Sequence, residues 1–214
     1  MAAKTETLKI LKVLEDARRR YGEARDAIAN TIADFIVSTR DVVKTFIELL
    51  SVLKEVDVAR TMTVYHVSRD YRVSVERAYV AKIRYDHVYR TYPDDNVHYV
   101  VLEIREASMP SIPATCARRR KGLLTIGVLD HLMLRSEKNA LRFYVKNLLG
   151  DDLSICCDVA QYIMLHYFLE ENAETIRSAL IAAVESKLQA LESLISRRRE
   201  RKSRVDVLAE ELSW

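Results

Sequence analysis

From Leu14 to Val56 an apolar residue returns every seven positions: Leu14, Tyr21, Ile28, Phe35, Val42, Leu49 and Val56. A companion line, Leu11, Arg18, Arg25, Ile32, Thr39, Phe46 and Leu53, runs three positions ahead of it. Alternating steps of three and four place both lines on one side of an α-helix, the pattern of a coiled-coil or bundle seam. A helix with such a stripe must find a second apolar surface along its length, which restricts the fold more than any other feature of the chain. Gly22 alone interrupts it, at about 1 kcal/mol relative to alanine. A helix from Lys4 to Val58 would be roughly 80 Å long at 1.5 Å per residue. Arg18, Arg25 and Thr39 are polar seam positions of the kind that fix register or partner. Ile36, Val43, Ile47 and Leu50 widen the stripe, so the second half reads as packed in a bundle.

The period changes after residue 60. Val73, Val75, Tyr79, Ala81, Ile83 and Tyr85 alternate with Ser74, Glu76, Lys82 and Arg84, the two-residue repeat of a strand. Tyr92-Pro93-Asp94-Asp95-Asn96 has turn chemistry. Val97–Arg105 predicts a second strand and Thr61–Val67 another. Met109-Pro110-Ser111-Ile112-Pro113 predicts a loop running to Lys121, followed by helix over Leu123–Leu149 with Gly150 as its stop. Asp151 and Asp152 suit the N-cap of a next helix. Leu153–Leu169 is apolar nearly all round and should be the most buried helix. A three-four pattern then resumes at Ile181, Val184, Leu188, Leu191, Ile195, Arg198, Lys202, Val205, Ala209 and Leu212, predicting a long helix over Asn172–Glu211.

The expected fold is therefore mainly α with a small antiparallel β element, long heptad-patterned helices at both termini flanking a compact α+β head. The segments are 1–58 (long helix), 59–121 (sheet region and Pro-containing loop), 122–170 (buried helices) and 171–214 (C-terminal helix). Four glycines and three prolines in 214 residues favour such long uninterrupted elements. The economical arrangement lays the terminal helices antiparallel as a stalk. That layout is similar in outline to prefoldins and to the central-stalk subunit of archaeal rotary ATPases. No signature motif of either maps onto residues here, so the resemblance carries over no functional residue.

Function is less constrained. Two glutamines, five asparagines and abundant charge of both signs suggest a thermophilic source. Cys116, Cys156 and Cys157 are an odd count without a disulfide framework. No C-x-x-C or H-E-x-x-H occurs, and no metal or other cofactor is expected. No G-x-x-x-x-G-K-[ST] or G-x-G-x-x-G cradles a phosphate. His87, His98 and Asp86, close to one turn, are the candidate acid–base groups of an enzyme reading, which is the rival class and not the preferred one. The N-terminus lacks an apolar leader, and Leu153–Leu169 is too short to span a bilayer and holds Asp158, so a cytoplasmic location, or one within a virion, is expected without membrane contact.

Charge points elsewhere. Arg118-Arg119-Arg120-Lys121 and Arg197-Arg198-Arg199-Glu200-Arg201-Lys202-Ser203-Arg204 are clustered cations of the kind that neutralise phosphates. Seven tyrosines between Tyr65 and Tyr99 interleave with arginines and offer faces for base stacking or for protein contact. The expected function is a non-enzymatic assembly or architectural protein. It would pair with itself or a paralogous chain through the Leu14–Val56 line and bind DNA or RNA through Arg118–Lys121 and Arg197, Arg198, Arg199, Arg201, Lys202 and Arg204, as the nucleoprotein of an archaeal or archaeal-virus assembly would. A protein–protein scaffold without nucleic acid is the alternative, and a net charge of only +3 favours it.

Overall fold

The computed structural model describes residues 9–13, 16, 24–67, 73–89, 96–105, 116, 118–120, 122–134, 137–149 and 156–211. Helix α1 (Arg25–Leu53) leads into strands β1 (Glu55–Val67), β2 (Val73–Tyr89), β3 (Asn96–Ile104), β4 (Arg118–Arg120) and β5 (Leu123–Leu129). Four helices follow: α2 (Asp130–Met133), α3 (Lys138–Leu148), α4 (Cys157–Glu171) and α5 (Ala173–Glu211). The five strands form one sheet in the order β1-β2-β3-β5-β4, antiparallel throughout. The fold is α+β. The expectation of a mainly helical chain with a small β element is overturned, because strands of 13, 17, 9, 3 and 7 residues make the sheet a main constituent of the core.

The expected segment boundaries move for local reasons. The first helix stops at Leu53, since Lys54 takes a positive φ of 68° and reverses the chain into β1, so Val56 is a strand residue. Leu123–Leu129, expected as helix, is strand: Leu124, Ile126 and Val128 alternate inward and pair with Leu102, Val100 and His98 of β3. Gly127 suits this strand, because a Cβ there would lie 2.7 Å from the Tyr99 ring and 3.0 Å from the Gln161 amide oxygen. Arg118–Arg120, expected in a loop, is the backbone of β4. The loop over 109–113 and the caps at Asp151 and Asp152 lie outside the described residues.

The N-terminal line behaves differently from a coiled-coil seam. The buried face of α1 is Ile28, Ile32, Ile36, Val43, Ile47 and Leu50, a 3.6-residue repeat. A straight helix drifts about 20° per seven residues away from a strict heptad line. Ile28 and Phe35 therefore sit in the chain's own core, whereas Val42 and Leu49 have rotated out to 58% and 39% exposure. Arg25, a break in the companion line, donates to the carbonyls of Lys146 (3.3 Å) and Leu149 (2.7 Å) and so closes the C-terminal end of α3.

Helix α4 is the centre of the molecule. Ten of its residues are buried, Val159, Ala160 and Tyr162–Leu169, so no face is left for solvent. On one side Tyr162 reaches α1: its hydroxyl lies 3.0 Å from Thr39 Oγ1 and 3.3 Å from the Ile36 carbonyl. Phe35 meets the rings of Tyr162 and His166 edge-on. On the other side α4 bridges the two sides of the sheet. Asn172, just past its end, accepts from the Thr63 amide (2.9 Å) and donates to the Thr63 carbonyl (2.6 Å), pairing with the outer edge of β1 as another strand would. Gln161 accepts from the Gly127 amide (2.9 Å), beyond the point where β4 stops pairing with β5, and donates to the Cys116 carbonyl. Two bulges at one level, Asp57/Arg60 in β1 and Val80/Lys82 in β2, bend the sheet between these edges.

Helix α5 starts against this assembly and leaves it. Ile176 is buried and Leu180 partly so. Lys187 Nζ donates to the Val52 carbonyl (2.8 Å), level with the end of α1. Since Val42–Leu49 also flank Ala173–Ile181, α1 and α5 run in the same sense, and the antiparallel stalk is not formed. From Glu185 on, every described side chain of α5 is exposed.

Replacing Asn172 by Ala should lower unfolding free energy by about 2–3 kcal/mol. The change leaves the partly buried Thr63 edge groups unpaired and removes a third bond, to the Phe168 carbonyl. Chemical denaturation of both proteins measures it, and a loss under about 0.5 kcal/mol would show that α4 does not hold the β1 edge through this amide.

Candidate functional site

Three features stand out as candidates: a relay of polar side chains at one end of the sheet, buried titratable groups around α4, and the exposed length of α5. Register places His87 opposite His98 on β2 and β3, their rings 4.9 Å apart. Tyr85, two residues along on the same face, brings its hydroxyl 2.9 Å from His98 Nδ1. His98 Nε2 meets a carboxylate oxygen of Asp130, the first residue of α2. Asp130 is buried and the His98 side chain is 14% exposed. With Nε2–H donated to the carboxylate, Nδ1 accepts from the tyrosine, so a proton path Tyr85–His98–Asp130 is in line. Such a chain can shift a proton from the phenol to the imidazole while the carboxylate stabilises the cation. It also ties β2, β3 and α2 together. Lys54 Nζ sits 5.3 Å from the centre of the Tyr85 ring.

Of the three suggested acid–base residues, His87 and His98 thus come together, and Asp86 does not join them. Asp86 points to the opposite face, pairs in register with Tyr99 and accepts from the His87 amide at 2.8 Å. Its place is taken by Asp130, 32 residues from His98, a separation with no sequence signal. None of Tyr85, His87, His98 or Asp130 lines the groove between α1 and α5. Among the described residues no group of three His, Cys, Asp or Glu side chains is placed to hold a metal ion.

Buried titratable groups lie around α4. Burial pushes the Cys156 thiol up to about 11, which leaves it unreactive, and pushes the Tyr162 and Tyr65 hydroxyls up as well, the latter with help from the Glu171 carboxylate. Burial drives His166 down to about 4, although Glu170 lies 3.6 Å from its Nδ1. Among the described residues the tyrosines share no stacking platform. Tyr65 is buried against Tyr167 at 3.8 Å between ring centres, Tyr85 and Tyr99 are half-buried, and Tyr79 is exposed. Tyr71, Tyr92 and the side chain of Tyr89 lie outside the described residues.

The exposed length of α5 carries an extended open surface. Ile181, Val184, Leu188, Leu191 and Ile195 follow steps of three and four and stand open, Leu188 at 54% and Ile195 at 53%. Arg197, Arg198, Arg199, Arg201, Lys202 and Arg204 are all exposed on the same helix. Helical geometry separates them: Arg198 and Lys202 continue the apolar line, while Arg197, Arg201 and Arg204, spaced four and three, form a row beside it, roughly 100° round the helix. Near the start of α5 an apolar groove of about 610 Å³ opens towards α1, lined by Val42, Phe46, Leu49, Ala173, Leu180 and Ile181, with Asp41 and Arg177 at its margin.

Of the expected partner line, Val42 and Leu49 reach this groove. Ile28, Phe35 and Val56 are spent inside the chain, and Leu14 and Tyr21 lie outside the described residues. The side chains of Arg118–Arg120 and all of Lys121 also lie outside them. Among the described residues no helix is long and apolar enough to cross a membrane. No family model, curated protein or solved structure matches the chain.

His166 gives a pH dependence with a definite sign. Its folded value of about 4 lies below the unfolded value near 6.5, so the unfolded chain takes up the proton first. This contribution to stability is whole above about pH 6.5 and is lost as pH falls towards 4, by at most about 3 kcal/mol. Denaturant unfolding near neutrality and again near pH 4.5 should show a smaller acid loss for His166→Phe than for the parent, and identical losses would mean that His166 is not held neutral.

Proposed function

We propose that the protein is a non-enzymatic assembly protein that associates with a second copy of itself through α5. The observation that carries this reading is the unpartnered seam from Ile181 to Ile195, continued by Val205 at 62% exposure, on a helix that runs on past the end of α1. A helix of 39 residues whose described side chains from Glu185 to Val205 all stand open has little to stabilise that stretch as a monomer beyond its own propensity, and a facing helix supplies the missing apolar surface. The longest open partner line among the described residues is thus that of the C-terminal helix, with Val42 and Leu49 of the expected 14–56 line in the groove beside it.

A second reading, binding to nucleic acid, is favoured by one observation. The row Arg197, Arg201 and Arg204 runs along the flank of the seam, so pairing through α5 leaves it an edge open to solvent. Phosphates are the natural counter-charge for such a row. The Arg118–Lys121 run belongs to the same reading on its sequence alone.

Leu188→Asp with Leu191→Asp should convert an oligomer into a monomer in light scattering while leaving the thermal midpoint of the body nearly unchanged, because both side chains are exposed in the single chain. A wild-type protein that scatters as a monomer at its highest soluble concentration overturns the assembly reading.

Changing Arg197, Arg201 and Arg204 together to Ala should weaken binding to any duplex and lower the log–log salt slope by roughly 0.9 for every phosphate no longer neutralised. A mobility shift at two salt concentrations measures this, and a wild-type protein that shifts neither DNA nor RNA at low salt leaves self-assembly without nucleic acid.

A further inference from the structure

We infer that the second copy packs antiparallel, as a two-fold pair centred near Leu188, with the distal part of each α5 seated in the α1–α5 groove of the other. The inference rests on the reading that α5 self-associates and adds its direction, its register and the surface that receives it.

Continuity of one helical face is the first support. Ala173, Leu180 and Ile181 line the groove on the same side of α5 that carries Val184, Leu188, Leu191 and Ile195 further out. The groove is therefore the inner end of the seam, partly filled by α1 and open beside it. About a centre at Leu188, Ile195 of one copy meets Ile181 of the other. Residues 198–202 then lie over residues 174–178, at the groove. The stems of Arg198 and Lys202 are apolar and can cover Val42 and Leu49 while their charged ends reach water. A parallel pair would instead bring two bodies together at the level where each already holds α1 on this face.

Charge decides in the same direction. Residues 173–195 of α5 carry Glu174, Glu185 and Glu192 against Arg177 and Lys187, net −1. Residues 196–205 carry Arg197, Arg198, Arg199, Arg201, Lys202 and Arg204 against Glu200, net +5. Parallel pairing sets +5 beside +5, with Arg198 and Lys202 in the seam facing their own equivalents. Antiparallel pairing sets +5 beside residues 173–180, where Glu174 and Arg177 cancel, and Asp41, which lines the groove, adds a negative group. A two-fold pair uses one patch twice and closes, so it ends as a dimer.

The test uses the full chain in two single-site forms, Ile181→Cys and Ile195→Cys, both at exposed positions. Oxidised as a mixture, they should give a disulfide-linked dimer on a non-reducing gel, well above the wild-type background from the three native cysteines. Either form alone should stay at that background, because residue 195 lies roughly 20 Å from its equivalent in this arrangement and a disulfide needs Cα atoms within about 7 Å. Self-linking of Ile195→Cys would establish the parallel pair and overturn the inference. So would a dimer in light scattering whose mixture gives no 181–195 link, and that result leaves self-association standing. A monomer in the same measurement removes self-association itself.

Discussion

Every strand at the edge of a sheet carries backbone groups that must be bonded to something. Here the outer edge of β1 and the part of β5 beyond β4 are bonded to side-chain amides delivered by one helix region, Asn172 to the first and Gln161 to the second. That requirement explains much else. A helix that spans both edges and also receives α1 has no solvent face, which is why α4 is apolar all round with Tyr162 and Gln161 bonded inside. The direction of α5 follows as well. The Asn172 amide bonds back to the Phe168 carbonyl and its own carbonyl accepts from Ile176, so the residue that holds β1 also joins α4 to α5. The same joint aims the long helix past the end of α1.

What the sequence makes legible is whatever depends on neighbours along the chain. The two-residue alternation of β2 and β3, the burial of α4 and the helical run to Glu211 are local patterns, and each is present. The N-terminal heptad line misleads because 3.5 and 3.6 residues per turn are hard to tell apart over a few turns. The wider stripe of Ile32, Ile36, Val43 and Ile47 is the better guide. Leu123–Leu129 passes for helix because Leu and Gly say little about strand, and its β identity comes from pairing with β3. Asp130 is invisible for the same kind of reason, since only the β3–β5 register brings it to His98.

The Tyr85–His98–Asp130 relay and the α5 surface make different demands on the fold. The relay is mostly enclosed, built from three elements of the core, and its geometry is kept by the sheet register. The α5 surface is open and rests on a single helix whose outer part has no support from the body. A chain of this size that leaves Leu188, Leu191, Leu194 and Ile195 each more than half exposed gives up several kcal/mol of burial in the isolated state. A facing helix recovers that burial.

The remaining edge of the sheet is β4, three residues long and made of Arg118, Arg119 and Arg120. It pairs with β5 only over Leu123–Thr125. A second molecule approaching this edge to add a strand would bring three cations against three cations, over a ladder too short to offset the repulsion. At the other border Asn172 occupies the backbone of β1 at Thr63. The longest strand, the 17 residues of β2, is kept off both borders by β1 and β3.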